Sequence, residues 1–554
     1  MDNNTKQTTT LSKQKKLIII LSCAAAVVAA GYLAISLFVK DPLYTVKKYD
    51  EDGDAVFAAI TDGTGEVTKA SIEKELAIGK GEHDVRKGET DDVLYTFRAR
   101  NVTVSYRPFI IPEIPLENLF SVKVENASGT FTVKRDAISD EFVFAEAPLQ
   151  SYNGQSVSKL LFQARYMLAM SKTSHEGKDL SDFGLDEKSK PIKITVTDRS
   201  GKTDTVLFGN LSVTGGAYYM KHTEKPFIYL MDSTASVFEN SLTSYISPVL
   251  AKSIPENESG YIESFSILKN GEKFFECRII PEEKREGTSS TDLHKSTYPA
   301  NYSPSMTNFY GALSSVASLS GESVVEVNVS KKENKDDIFK FYGLDKPANE
   351  VSWSYKGENS SFITSVLCEN SYYYAYSSYM DTIVVLPRDN APFLEYGLID
   401  FVDEYAFRSN ISNITAITVS AGRKTCRYEL EHIEEKTEQN GKEKVVKNLI
   451  VKEKYTGKTI DTPSFRQFYI SLMNLRIGGY SDTKSAEGLD RELSVTIETK
   501  FGEKYTYEFY TLTTTRCLMM LSGTGEFYAD RNLVSTVIER NFMLMEGKTI
   551  SAEY

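Results

Sequence analysis

The sequence predicts an α+β fold: an N-terminal transmembrane helix followed by three tandem antiparallel α+β repeat units. Three observations predict it. Residues 17–39 form an apolar run of 23 residues without a charge. The tripeptide Gly-Leu-Asp occurs three times, at 184–186, 343–345 and 488–490. Each copy precedes alternating polar and apolar residues around a glycine-containing turn, which is typical of a β-hairpin.

The apolar run has the length and flanks of a membrane anchor. At about 1.5 Å per residue it forms a helix of roughly 35 Å, which exceeds a hydrocarbon core of about 30 Å. Lysines stand before it at positions 6, 13, 15 and 16. The positive-inside bias therefore predicts a cytoplasmic tail at 1–16, a single transmembrane helix at 17–39, and an extracytoplasmic chain after Lys40.

Two alternatives to an uncleaved anchor stay open. A cleaved signal peptide has a shorter apolar core, of about 7–15 residues, although Ala29-Ala30-Gly31 resembles a cleavage site. A lipoprotein signal is the other alternative, because Ile20-Leu21-Ser22-Cys23 resembles a lipobox. The apolar run continues far past Cys23, which favours the anchor.

The chain beyond the anchor divides into four predicted segments. Residues 40–118 contain short strand-like stretches and form a membrane-proximal β-rich segment. Repeat unit 1 covers 119–250, repeat unit 2 covers 261–408, and repeat unit 3 covers 411–548. Each unit is long enough to bury a core of its own.

Each repeat unit is predicted to have the same order of elements. A strand pair comes first, followed by an amphipathic helix, Gly-Leu-Asp, a meander of strands and a closing helix. In unit 1 the first helix is predicted over 157–170, with Val157, Leu160, Leu161, Ala164 and Leu168 on one face. The hairpin turns contain Gly201, Gly357 and Gly502.

The Gly-Leu-Asp motif is interpreted as structural. Glycine can adopt the left-handed conformation that ends a helix, leucine fills the core, and aspartate caps the turn. The residues are Gly184, Leu185, Asp186, Gly343, Leu344, Asp345, Gly488, Leu489 and Asp490.

The motif and its surroundings resemble the domain of unknown function 4340 family, whose signature is Tyr/Phe-Gly-Leu-Asp-x-Pro before a β-meander. Phe183 with the first motif and Pro191, and Tyr342 with the second motif and Pro347, fit this pattern; Glu487 replaces the aromatic residue in the third copy. The resemblance covers the chain beyond residue 119. It implies a bacterial envelope protein, and some relatives are named as auxiliary components of ABC transport systems linked to gliding motility.

Composition and motifs argue against several kinds of chemistry. The net charge of −12 makes the chain a poor partner for nucleic acid. Gly-Lys-Thr occurs without the spacing of a phosphate loop. The run Asp50, Asp52, Asp54 lacks the glycine and glutamate of a calcium loop and is interpreted as a solvated turn. The histidines are not paired at zinc-ligand spacing. We therefore expect no catalytic residues, no metal and no cofactor.

The densest aromatic patch lies at 372–379. Alternation places Tyr372, Tyr374 and Tyr376 on one face of a strand and Tyr373 on the other. Ordinary sheet packing is one interpretation. A platform for carbohydrate or a protein partner is the other, because tyrosine provides rigid amphipathic contact area.

The four cysteines beyond the anchor are Cys277, Cys368, Cys426 and Cys517. Both successive pairs are 91 residues apart, which leaves two intra-unit disulfides open. Unit 1 has no cysteine at the matching positions, so four reduced, buried thiols are the favoured prediction.

The sequence thus favours a non-enzymatic, membrane-anchored extracytoplasmic binding or scaffold protein. The resemblance adds an expectation of ABC transporter permease and ATPase subunits as partners. The alternative is a cell-wall-directed enzyme or an envelope sensor.

Overall fold

The computed structural model describes residues 4–38, 42–61, 66–67, 86–87, 92–98, 102–213, 215–285, 293–439 and 442–551. It confirms the α+β fold class, with antiparallel pairing in every described sheet. The chain starts with a long helix, Asn4–Phe38. The part Lys13–Ile35 is long and apolar enough to cross a membrane, and its side chains are not buried by the rest of the chain.

In the segment after this helix, the residues that the structure describes form two small sheets. Their strands are β1 (Leu43–Lys47), β2 (Val56–Thr61), β3 (Glu66–Val67), β4 (Arg86–Lys87), β5 (Val93–Arg98) and β6 (Thr103–Pro108). The sheet orders are β1-β5-β4 and β3-β2-β6. A shared buried cluster of Val46, Ile60, Tyr95, Phe97 and Val102 joins the two sheets.

The first large sheet has eight strands and lies within the predicted unit 1. They are β7 (Leu119–Asn126), β8 (Gly129–Arg135), β9 (Phe142–Phe144), β10 (Ser171–Ser174), β11 (Ile192–Asp198), β12 (Thr203–Leu211), β13 (Ala217–His222) and β14 (Phe227–Asp232). The order is β9-β8-β7-β11-β12-β13-β14-β10.

The second large sheet also has eight strands and lies within the predicted unit 2. They are β15 (Ser264–Lys269), β16 (Glu272–Ile279), β17 (His294–Tyr298), β18 (Ser323–Val327), β19 (Asn349–Tyr355), β20 (Glu358–Thr364), β21 (Tyr372–Ser377) and β22 (Thr382–Pro387). The order is β17-β16-β15-β19-β20-β21-β22-β18.

The third large sheet has nine strands and lies within the predicted unit 3. They are β23 (Ile414–Ala421), β24 (Lys424–Gln439), β25 (Lys442–Glu453), β26 (Thr459–Ile460), β27 (Ile477–Tyr480), β28 (Arg491–Thr499), β29 (Lys504–Thr511), β30 (Arg516–Leu521) and β31 (Thr524–Asp530). The order is β26-β25-β24-β23-β28-β29-β30-β31-β27, with β24 and β25 forming a long ribbon.

The three large sheets share one strand order. In each, the opening strand pairs with the strand that follows Gly-Leu-Asp, as β7 does with β11, β15 with β19 and β23 with β28. The short strand after the helix lies at the far edge, beside the last strand of the meander. Only β26 has no counterpart in this common order of eight strands. The sequence repeat is therefore also a repeat of topology.

The hairpin after each motif forms where the glycine turn predicts it. Gly201, Gly357 and Gly502 all have positive φ, at 88°, 76° and 79°. Glycine adopts this left-handed region without the steric cost that other residues meet. The alternating pattern then buries one face, as Ile194 and Val196 show in β11.

Regular α-helices occur at six further places in the described ranges. They are Gly154–Arg165, Asn308–Ala317, Lys335–Phe341, Leu398–Phe401, Thr462–Met473 and Arg531–Glu546. Short 3₁₀ turns complete the described helical segments, at Leu116–Asn118, Leu180–Phe183, Ser233–Glu239, Leu242–Tyr245, Glu256–Tyr261, Glu282–Lys284, Val329–Lys331, Arg388–Asn390, Pro392–Leu394 and Ile411–Asn413.

The first helix of unit 1 is shorter than its sequence pattern indicates. Asn153 caps its N-terminus by accepting a hydrogen bond from the Ser156 N–H. Val157, Leu160, Leu161 and Ala164 are buried as predicted, and the helix ends at Arg165. The extension to residue 170 is wrong: Leu168 lies beyond the helix and forms a β-bridge with Phe109.

The closing helix is regular only in unit 3. There it spans Arg531–Glu546, capped by Asp530 and ended by Gly547 with a φ of 74°. In unit 1 the predicted helix is replaced by two 3₁₀ turns separated by Asn240, which has an extended backbone. In unit 2 it is reduced to a 3₁₀ turn that begins at Pro392 and a four-residue helix that begins after the extended Gly397. Proline is tolerated at the first position of a helix, so the break lies at the extended residue between the two segments.

The chain divides into two compact units, 1–148 with 153–245, and 149–152 with 246–554. The second and third large sheets thus belong to one compact unit. Tyr302 packs against Phe527 with ring centroids 5.4 Å apart, and the Ile399 N–H donates to the Tyr480 hydroxyl. The boundaries of the predicted repeat units themselves stay a prediction.

Candidate functional site

The second Gly-Leu-Asp motif ends a short helix, Lys335–Phe341. Gly343 has a φ of 68°, and its N–H donates to the Lys340 carbonyl. The Leu344 N–H donates to the Phe339 carbonyl at 2.7 Å, which satisfies a carbonyl at the helix end. Leu344 is buried beside Ile383, whereas Asp345 is exposed.

This helix end carries rings that meet the tyrosine strand β21. Phe341 and Tyr342 have ring centroids 4.9 Å apart, Tyr342 and Tyr374 are 4.8 Å apart, and Tyr374 and Tyr372 are 5.4 Å apart, all edge to face. These four residues are called the aromatic surface below. Edge-to-face pairs add roughly 0.5–1.5 kcal/mol each to the burial of their rings.

The two faces of the tyrosine strand differ in exposure, and Tyr372, Tyr374 and Tyr376 are all half-buried on one of them. Tyr373 is buried on the opposite face, as alternation predicts. Tyr376 packs against Phe339 at 4.9 Å and, with Tyr374, covers the buried cluster around Ile338 and Leu344. Tyr372 lies at the outer end of the row. Packing on this cluster thus accounts for the covered parts of Tyr374 and Tyr376, while all three tyrosines remain partly accessible.

The sequence alone did not indicate the most exposed member. Phe341 is 81% exposed, although large apolar side chains are usually covered. Val366, 67% exposed, directly follows Ser365, whose side chain lies against Gly343. Helical spacing gives no signal for this exposure, because a residue three positions after the buried Ile338 is expected on the same face of the helix.

The hydroxyl groups of this surface stay protonated at neutral pH. Burial and the neighbouring Glu326 raise the pKa of Tyr342 to about 12. The hydrogen bond with Tyr374, followed by partial desolvation, raises the pKa of Tyr372 to about 12. The surface is therefore an uncharged group of rings with hydroxyl groups.

The first motif has the same local geometry. Gly184 has a φ of 67° and ends the turn Leu180–Phe183, and Leu185 is buried. The Asp186 carboxylate accepts hydrogen bonds from the N–H groups of Lys188 and Ser189, which is an Asx turn. Phe183 packs edge to face on Tyr219 at 4.9 Å, as Tyr342 does on Tyr374.

The third motif is looser. Gly488 again has a positive φ, of 78°, but Leu489 is only half-buried and Asp490 is exposed. Glu487 stands where the first two copies have an aromatic ring. The motif therefore retains the turn without the ring contact, and the aromatic surface belongs to unit 2.

The acidic run Asp50, Asp52, Asp54 is not a solvated turn. Asp54 is 6% exposed and accepts hydrogen bonds from the Tyr229 hydroxyl at 2.8 Å and from Lys172 at 3.1 Å. Lys225 lies 2.8 Å from its other carboxylate oxygen. Lys172 also pairs with Asp50 at 2.7 Å and Asp52 at 2.9 Å. The expectation of a solvated turn is wrong because two lysines, distant in sequence, converge on these carboxylates.

This acidic cluster ties the membrane-proximal segment to the first large sheet. Lys172 lies in β10 and Tyr229 in β14, so both are fixed by the sheet. Burial opposes ionisation of Asp54, but the bonds from Lys225, Tyr229 and Lys172 outweigh it and lower the pKa of this carboxyl. The ammonium groups occupy the place where a cation would bind, and the cluster is structural.

The histidines and cysteines do not form a metal site or a disulfide in the described part of the chain. There, no group of three or more His, Cys, Asp or Glu side chains is arranged to hold a metal ion. His83 lies outside the described residues. All four cysteines beyond the anchor are free: Cys277, Cys426 and Cys517 are buried and Cys368 is half-buried. Burial raises the pKa of all three buried thiols.

The comparison with protein families matches part of the chain. Residues 143–338 match the model of a domain of unknown function, DUF4340. The chain carries a DUF4340 domain. The match contains Gly184, Leu185 and Asp186 and ends five residues before Gly343, so it is narrower than the resemblance seen from residue 119 onward. Neither the curated proteins nor the solved structures contain a match to this chain.

Proposed function

We propose that this DUF4340-containing chain is a non-enzymatic, membrane-anchored binding protein whose aromatic surface contacts a protein partner outside the cytoplasm. The observation that carries the proposal is the exposure of Phe341 at the end of a ring row that a rigid sheet holds in place. Exposed apolar side chains grouped on a fixed scaffold are typical of interaction sites, where aromatic residues are enriched.

The chemistry of this surface favours a protein over a glycan. Phe341 and Val366 offer no hydrogen bonds, and the Tyr342 hydroxyl already donates to Glu326 at 3.4 Å. A sugar would need several free polar partners at its hydroxyls, whereas a protein side chain can bury these rings directly. We infer that an apolar residue of the partner packs against Phe341.

The N-terminal helix supports the proposed location. Its apolar side chains, such as Ile20 and Val28, are more than 60% exposed, which is stable in a lipid environment and costly in water. The lysines at its start favour a cytoplasmic N-terminus. Added protease should then digest the chain after Lys40 in intact cells stripped of their wall. Full protection of that part would overturn the orientation.

The proposed partners are the permease and ATPase subunits of an ABC-type transport system, an idea that comes from named relatives of the family. The test is affinity purification of the full chain from membranes in mild detergent. Transporter subunits should be recovered with the native chain, and recovery of none would refute this assignment. Recovery of cell-wall enzymes in their place would favour the alternative role in wall metabolism.

Two variants connect the partner to the aromatic surface. Phe341→Ser should reduce recovery of the partner at least tenfold, because truncating a central aromatic contact typically costs more than about 1.4 kcal/mol. Tyr455→Ser is the matched control, because Tyr455 is also an exposed aromatic residue, at 66%, outside this surface. Equal recovery with both variants would show that the partner binds elsewhere.

A further inference from the structure

A basic pocket lies between the second and third large sheets, away from the aromatic surface. Its volume is about 470 Å³. Strands β16 and β17 form one wall, and Glu503 with the start of β29 forms the other. Pockets of roughly 300–1,000 Å³ are the usual size for small-molecule ligands.

Lys295 is the central basic group of this pocket. Its ammonium lies 3.5 Å from the centroid of the Tyr505 ring, a cation–π contact. The nearest carboxylate, that of Glu503, is 4.0 Å away, which is the outer limit of an ion pair. The side chain is about a quarter exposed, at 27%, so it is accessible from the pocket.

The surrounding charges add to this positive centre. The described lining contains four basic side chains, Arg278, Lys284, Lys295 and Lys504, and one acidic side chain, Glu503. Arg278 and Lys504 are mostly exposed and pair at the rim with Glu276 at 2.9 Å and Glu498 at 3.9 Å. A net positive pocket is notable in a chain whose net charge is −12.

Electrostatics within the pocket disfavour a charged Lys295. Burial, aided by the positive charge of Lys284, lowers the pKa of Lys295 to about 8, while Glu503 acts in the opposite direction. A bound anion would relieve both effects, because it would neutralise the repulsion and favour the protonated amine. A lysine with a lowered pKa in a cleft is a common mark of a binding site.

We propose that this pocket binds the phosphoryl group of a small organic phosphate, with Lys295 as the central contact. Lysine binds phosphate as a point charge. A pocket with several cations should bind a phosphate dianion more tightly than a carboxylate, which has a single negative charge. The Thr297 and Asn301 side chains provide hydrogen-bonding groups, and Tyr505 with Pro281 provides an apolar wall for the organic part. This site is independent of the proposed function.

The test uses the full chain in a neutral detergent and isothermal titration calorimetry with glycerol 3-phosphate. We expect saturable binding that Lys295→Gln weakens at least tenfold. Lys252→Gln is the control, because Lys252 is 64% exposed and pairs with Glu358 away from this pocket. Binding that is absent, or unchanged by Lys295→Gln, overturns the proposal.

Proton uptake distinguishes a specific site from general attraction to positive charge. At pH 8 the partly neutral Lys295 should gain a proton on binding, which appears as an enthalpy that depends on the ionisation heat of the buffer. Lys295→Arg should keep the binding and lose the proton uptake at pH 8, since arginine is always protonated. At pH 6, where the amine is already protonated and the phosphate itself titrates, the native chain and Lys295→Arg should show the same buffer dependence. Equal uptake in the two chains at pH 8 would overturn the role of Lys295.

The same phosphoryl chemistry occurs in soluble metabolites and in lipid headgroups. Mixed micelles containing phosphatidylglycerol are therefore titrated in parallel with glycerol 3-phosphate. A Lys295-dependent response to the soluble ester assigns a soluble source, and one confined to the micelles assigns a lipid headgroup. Failure of both probes overturns the phosphate site and leaves the partner-binding experiment on Phe341 unaffected.

Discussion

Removing one carboxylate from the acidic cluster should loosen the junction between the membrane-proximal segment and the first large sheet. Asp54→Asn keeps the size of the side chain and removes its charge. The carboxylate then no longer attracts Lys225, 2.8 Å away, or Lys172, 3.1 Å away. Lys172 keeps its ion pairs with Asp50 and Asp52, so the loss of its contact with Asp54 is partly compensated.

The expected cost follows from these contacts. Breaking a buried ion pair typically costs about 3–5 kcal/mol, and a hydrogen bond to a charged group contributes about 1.5–3 kcal/mol. Because Lys225 is 24% exposed, water can compensate part of its loss, and we expect about 3 kcal/mol. That free energy corresponds to roughly a hundredfold change in an opening equilibrium.

Hydrogen exchange followed by mass spectrometry measures this opening in the full chain at pH 7. Protection should fall about a hundredfold in peptides that contain β2, β6 and β10. Asp52→Asn is the matched control: it also removes a contact to Lys172, at 2.9 Å, but Asp52 is half-exposed, at 50%. An effect of Asp54→Asn no larger than that of Asp52→Asn would refute the assignment of a buried clamp.

Acid should produce the same loosening in the native chain. The pKa of Asp54 is lowered in the folded state, so its contribution is present above the unfolded pKa of about 3.9 and is lost as the pH falls through the folded pKa. The difference between the native chain and Asp54→Asn should therefore shrink below about pH 4. A constant difference down to pH 2 would contradict the lowered pKa.

Three further outcomes are expected. Gly184→Ala should lower the free energy of unfolding more than Gly343→Ala, since an added Cβ would lie 2.4 Å from Asn210 Oδ1 in the first case and 3.6 Å from Ser365 in the second; equal denaturation midpoints would contradict this. Burial lowers the pKa of His294 to about 4, so the unfolded state binds a proton more readily than the folded state. The free energy of unfolding should therefore fall by about 2 kcal/mol between pH 7 and pH 5. In His294→Gln the free energy of unfolding should not change over that range. Under native conditions a thiol reagent should modify Cys368 first, and the denatured, unreduced chain should show four reactive thiols beyond the anchor; none would indicate two disulfides.

The repeats were predictable because their signals are local. The positive-φ glycines Gly201, Gly357 and Gly502 sit between alternating segments, and both features can be read within ten residues. The edge strand β10 was not predicted, because Ser171–Ser174 is short, polar and without alternation. It becomes a strand only through its pairing with β14. Tertiary context thus decides the strands at the sheet edges.

Both sites show where local reasoning ends. Alternation gave the face of Tyr372 and Tyr374 correctly, but Phe341 reaches the same surface from a helix far upstream. The acidic run was judged by the spacing of its own residues. The ion pairs that stabilise the buried Asp54 carboxylate come from Lys172 and Lys225, in another part of the chain. A single sequence contains no signal that brings these residues together, since a contact over such a distance depends on the sheet order.

The shared strand order has a consequence for how the chain reaches its final form. The first strand of each unit is paired on both sides only when the strand after Gly-Leu-Asp has joined it. The edge strand pairs only with the last strand of the meander. In the proposed topology the chain crosses the membrane from its N-terminus, so that β7 emerges long before β11, and β10 before β14. Each unit would then be complete only when its last hairpin has emerged. Until β11 has emerged, the unpaired edge of β7 would be accessible to chaperones and proteases.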